Sequence, residues 1–200
     1  SCPDEQLPCA ETLLADKPEH IIARENFDPQ EYIDQGFKLD VPQALYNRGE
    51  RYNLSIRRGT LTEEERFKIN DHVIQTIRML ESLPLPEHLQ KVPEYAGTHH
   101  ETLIGTGYPR KLTKEQLSIP ARIMALADVF EALTASDRPY KKAKTLSEAL
   151  KIMPFMVKDQ HIDKDIFELF LRSEVYLKYA RSALMPQQID EVKIEDYLSS

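Results

Sequence analysis

His99 and His100 stand side by side, followed by Glu101 and then by Gly105, Gly107, Tyr108 and Pro109. Imidazole binds metals and exchanges protons near neutral pH, so a histidine pair next to a glycine-bearing loop is a candidate reactive centre. On a helix, successive side chains diverge by about 100°, and a helical pair would then serve two metals, or one metal and one substrate group. The glycines let backbone approach a ligand closely, and Pro109 stiffens the exit of the loop. Asp128 is the most informative carboxylate, because it falls among Ala121, Ala125, Ala132 and Ala135. A neighbouring helix can come close to such a face, and a carboxylate buried there needs a partner, either a cation or a metal. His72 flanks an apolar stripe and reads either as a packed core histidine or as a further imidazole for the same site.

Charge separates these residues from the rest of the chain. The 200 residues carry a net charge of −7, which argues against a protein that coats nucleic acid. Between Gly105 and Lys144, however, eight basic residues face four acidic ones. A basic island beside candidate metal ligands favours a small anionic substrate such as a phosphate ester. A solvated helix end explains Lys141 to Lys144, but not Arg110 and Lys111 in the glycine loop. A helix-turn-helix DNA reader fits poorly, since the cations surround a loop and do not line one exposed helix.

The elements that position these residues are helices. Thr62 and Glu65 form a capping box, opening a helix that runs to about Leu83 with Ile69, Val73, Ile77 and Leu80 on one stripe. A short helix over 87–98 is interrupted by Pro93. A long helix over 119–136 has Pro120 in its first turn; Ile119, Ile123, Leu126, Phe130 and Leu133 line one face and the alanines with Asp128 the other, so both sides are packed. Further helices are expected over 146–153, 164–184 (Ile166, Phe170 and Leu177 inward) and 189–198. No stretch alternates with period two over strand length, and the chain reads as all-α. Composition, at 41% hydrophobic and 30% charged, fits one globular domain over 61–200, with 1–60 a Pro-rich leader or truncated upstream segment. No apolar run reaches the length of a membrane span, no signal peptide is evident, and Cys2 and Cys9 read as free thiols of a cytoplasmic protein.

Four segments in order resemble the HD-GYP phosphodiesterases of bacterial signalling, which hydrolyse cyclic di-GMP. Leu-Thr-Glu-Glu-Glu-Arg leading to His72 resembles the helix that brings in one ligand histidine, and His-His-Glu-Thr-Leu-Ile-Gly-Thr-Gly-Tyr-Pro at 99–109 resembles the signature. Residues 119–128 resemble the helix bearing the last metal-ligand aspartate, and Arg-Pro-Tyr-Lys-Lys at 138–142 the segment that contacts substrate phosphate. The resemblance implies a compact helical bundle of the HD-domain type with a Gly-Tyr-Pro loop. It implies His72, His99, His100 and Asp128 as ligands of two or three divalent metals (Fe, Mn or Zn), with Arg138 and Lys141 on the phosphate. Gly105, Gly107, Tyr108 and Pro109 would shape the pocket or meet a protein partner, and Glu131 replaces an aspartate common near the phosphate. A cyclic dinucleotide is the implied substrate, and a homodimer is a further expectation.

The sequence also departs from that family. The His-Asp dyad that names it occurs nowhere in the chain, Asp71-His72 being the reverse order, and Ile104 stands where an aspartate is usual. The dyad is therefore expected upstream in a longer protein, or lost from a degenerate, non-catalytic signalling module that binds a nucleotide or a partner protein. Either way the chain alone is expected to be inactive.

Overall fold

The computed structural model describes residues 14–25, 27–57, 59–136 and 143–198. Two compact units divide the chain at His72/Val73.

The first unit has no sustained hydrophobic period, and it packs through isolated aromatic residues. Phe27, Tyr32, Phe37 and Phe67 meet ring to ring, with Tyr32 4.9 Å from Phe27 and 6.0 Å from Phe37. The Arg24 guanidinium lies 4.7 Å from the centre of the Phe67 ring, a cation–π contact that keeps its charge at the edge of the cluster. Strand β1 (Ile21–Ala23) pairs antiparallel with β2 (Ala44–Asn47), Ile22 opposite Tyr46. Segments of three and four residues cannot display a period of two, so this small sheet was not readable from pattern. Helix α1 (Pro29–Asp34) is capped by Asp28, and α2 (Glu50–Leu54) has the Arg51 and Tyr52 N–H groups of its first turn on the Asp16 carboxylate.

Helix α3 (Glu63–Glu81) begins at the expected capping box, Glu65 N–H donating to Thr62 Oγ1 and Thr62 N–H to Glu65 Oε2. Its buried stripe is Phe67, Val73, Ile74 and Ile77. Ile69, expected inward, is 50% exposed, because Phe67 and Ile74 rotate the stripe away from it.

In the second unit, α4 (Val92–Gly97) starts with Pro93 in its first turn and ends where Gly97 lies against Ile77; a Cβ there would fall 2.5 Å from the Ile77 side chain. Helix α5 (Ile119–Thr134) is capped by Ser118 and buries Ala121, Ala125, Leu126, Val129 and Phe130, while Ile119 and Ile123 near its start are exposed. Helix α6 (Leu146–Lys158) runs past Met153 and contains Pro154. The expected single helix over 164–184 is two, α7 (Lys164–Arg172) and α8 (Val175–Ala183), broken at Glu174 in the left-handed region (φ 53°). Phe167 and Leu171 are the buried residues of α7, with Ile166 and Phe170 packed partly beside them. The last helix, α9 (Glu195–Leu198), is shorter than expected. Leu126 and Phe130 join Leu146, Leu150, Met153, Leu171, Tyr176 and Ala180 in one apolar core. The fold is all-α with a small two-stranded sheet, and no helix among the described residues is long and apolar enough to cross a membrane.

Candidate metal centre

Helix α4 ends at Gly97, so His99 and His100 sit in the following turn and not on a helix. The divergence expected of a helical pair therefore does not occur, and the two ring centres are 4.1 Å apart. His72 is exposed on α3. His99 Nδ1 is 2.6 Å from the Ala96 carbonyl oxygen, and His72 Nδ1 meets the Ile69 carbonyl. A ring that donates its Nδ1–H to a carbonyl keeps its lone pair on Nε2, the form in which imidazole binds a metal. The donor set suits a borderline divalent ion.

Residues 101–113 are folded around one carboxylate. Glu101 is 1% exposed; its Oε1 accepts from Arg110 N–H at 2.7 Å and its Oε2 from Leu112 N–H at 2.9 Å. Burial raises its carboxyl above the usual range, and these backbone donors partly offset that. Gly107 lies against the backbone of 100–102, where a Cβ would stand 2.4 Å from Glu101 Cα. Gly105 has φ +73°, which favours glycine. The turn is closed by Tyr108 N–H on His100 C=O at 3.2 Å, and it sets the Tyr108 ring parallel to His100 with centres 4.8 Å apart. Pro109 is fully buried and follows a cis bond from Tyr108.

Asp128 is half-buried on α5. Its negative charge reaches the signature loop: burial first, and then Asp128, push the Tyr108 hydroxyl to a raised pKa. It also reaches His161, whose imidazole burial holds below the usual histidine range while Asp128 opposes that shift. Glu131 is exposed. Arg138, Lys141, Cys2 and Cys9 lie outside the described residues. The chain on either side of 137–142 is joined by Gln188, whose buried amide donates to Thr134 C=O at 2.8 Å and Lys144 C=O at 3.0 Å.

Two residues escaped the reading of the sequence. Glu101 was noted beside the histidines but given no role; a carboxylate four residues before a glycine loop whose N–H groups need acceptors was the available signal. His161 gave no local signal, because its nearness to Asp128 depends on the fold.

Residues 8–166 match the family model described as HD domain. The chain belongs to the HD domain family. Its signature segment and its relatives make it of the HD-GYP type. It is 33% identical over 150 residues to 3'3'-cGAMP-specific phosphodiesterase 1 of Vibrio cholerae, covering 69% of this chain and 33% of that protein. A cyclic di-GMP phosphodiesterase of Pseudomonas aeruginosa is 35% identical over 136 residues (68% of this chain, 30% of that protein). One of Thermotoga maritima is 36% identical over 119 residues (60% and 32%). This HD domain thus spans about a third of the length of these relatives.

Proposed function

We propose that this HD domain is part of a metal-dependent phosphodiesterase that hydrolyses cyclic di-GMP in bacterial signalling, and that the chain alone holds an incomplete ligand set. The observation that carries the reading is the histidine pair, its ring centres 4.1 Å apart and His99 turned by the Ala96 carbonyl to present Nε2. The relatives, by their names, act on cyclic dinucleotides. His72, His99, His100 and Asp128 would hold two or three ions of iron, manganese or zinc together with the dyad that this sequence lacks. Bound divalent ions lower the pKa of water and stabilise charge on phosphoryl oxygens.

The remaining roles fall to the protein's own groups. Arg138 and Lys141 hold phosphate oxygens by charge-assisted bonds. Gly105, Gly107, Tyr108 and Pro109 shape one wall of the pocket, with Tyr108 fixing the plane of His100, and the same loop offers a surface to a protein partner. Glu131 serves as an acid near the phosphate. Residues 61–200 form the HD-GYP-like domain and 1–60 its leader, in a cytoplasmic protein that pairs as a homodimer. The absence of a His-Asp dipeptide favours a second reading, a non-catalytic module that binds a nucleotide or a partner and transmits a signal.

Metal content of the purified chain, Mn²⁺ titration and a cyclic di-GMP hydrolysis assay test this. The expected result is weak metal retention, Mn²⁺ binding that His99→Ala and His100→Ala abolish, and no turnover. Mn²⁺ binding indifferent to both substitutions would overturn the assignment of the site, and tight stoichiometric metal with turnover would overturn the incompleteness.

A further inference from the structure

The turn between α6 and α7 is fastened to two segments of the candidate centre by bonds that none of the proposed ligands makes. Gln160, at φ 58°, directs its carbonyl to Leu103 N–H at 2.8 Å, and the Leu103 carbonyl accepts Lys114 N–H at 2.9 Å. Three residues beyond Gln160, Asp163 is 1% exposed. It accepts from Asp165 N–H at 2.9 Å as the cap of α7, from Arg122 Nη1 at 2.5 Å, and it lies 3.2 Å from Lys114 Nζ. Capping a helix takes one hydrogen bond, so two cations drawn to the same buried oxygen exceed what α7 requires.

The two cations come from informative places. Lys114 comes directly after Thr113, which bridges back to Ile104 in the signature segment. Arg122 stands on α5 six residues before Asp128, about 9 Å along the axis. His161 lies inside the same turn, in the field of Asp128. One carboxylate thus joins the loop that follows His99 and His100 to the helix that carries Asp128.

We propose that Asp163 is a positioning residue for the metal centre: by holding Lys114 and Arg122 together it fixes the distance between the histidine pair and Asp128. The inference rests on the reading of these residues as metal ligands. It touches no ligand directly, and it acts only through α5 and the signature loop.

Co²⁺ added to the full chain, followed by its visible absorption, reads both affinity and coordination geometry without any turnover. His100→Ala must abolish the Co²⁺ band; if it does not, the metal reading fails. With that established, Asp163→Asn is expected to weaken Co²⁺ binding by about tenfold, as is usual when supports of a metal site are removed, and to shift the band. Exchange of the Leu103 amide in the metal-free chain is expected to accelerate. Lys114→Met, at a partly exposed position, should do the same to a smaller degree, with Lys114→Arg restoring the parent spectrum. If Asp163→Asn does not fold, the lysine pair decides. A lowered unfolding midpoint with unchanged Co²⁺ affinity and band in Lys114→Met would assign Asp163 to stability alone and overturn the proposal.

Discussion

The core around α6 and the segment 98–113, which contains the signature, belong to the same unit, yet different forces hold them. Leu146, Leu150, Met153 and Leu171 are fully buried among apolar neighbours, and their contribution is non-directional, scaling with area removed from water. The signature segment is organised by Glu101, whose two oxygens receive backbone N–H groups, and by glycine contacts too close for any side chain. Its energy depends on direction, and an unpaired partner there is costly. A metal site gains from this difference, because ligand nitrogens must be placed to fractions of an ångström, and apolar packing alone sets position less sharply than a fully paired polar group.

Substitutions can break that contrast. The largest loss of stability is expected for Leu150→Ala, about 2–5 kcal/mol by urea unfolding, with Mn²⁺ affinity of the folded fraction unchanged. A concurrent loss of affinity would show that core and site are not separable. Glu101→Gln should cost less, about 1–3 kcal/mol, since one oxygen is replaced by a donor facing an N–H, but it should weaken Mn²⁺ binding measured by calorimetry. Gly107→Ala forces a Cβ into the backbone of 100–102 and is expected to cost about 1–3 kcal/mol, with the same loss of metal affinity. Met153→Leu, close in volume, should stay under about 1.5 kcal/mol and leave binding intact.

The two buried carboxylates of this region sharpen the comparison through pH, because their shifts have opposite signs. Burial opposes ionisation of Asp163, but Arg122, Lys114 and the Asp165 N–H together hold its carboxyl below the usual aspartate value. Its contribution is present above the unfolded-state pKa and is lost as pH falls through the lower folded value. Glu101, raised by burial, contributes stability that is complete below its unfolded-state pKa and disappears as pH rises through the folded one. Urea midpoints measured across the acid range should therefore lose part of their acid slope in Asp163→Asn. Glu101→Gln should remove a slope of the opposite sign, and identical pH profiles for the two variants would show that the site carries no such division.

What could be read from the order of residues is local in origin. The capping box of Thr62 and Glu65, the start of α5 at Ser118 and Pro120, and the all-α character depend on neighbours within one or two turns, so spacing reveals them. The histidine pair, Asp128 and the glycines were visible as residue types. Tertiary structure decided the rest. The end of α4 at Gly97 placed His99 and His100 in a turn with their rings together, an arrangement that spacing alone left open. The break at Glu174, the aromatic cluster of the first unit and the burial of Glu101 all rest on contacts between residues far apart in sequence or on backbone conformations that spacing does not encode. Gly107 shows the division most clearly: the sequence supplied a glycine, and only the approach of 100–102 to within 2.4 Å of its absent Cβ explains why no larger residue fits.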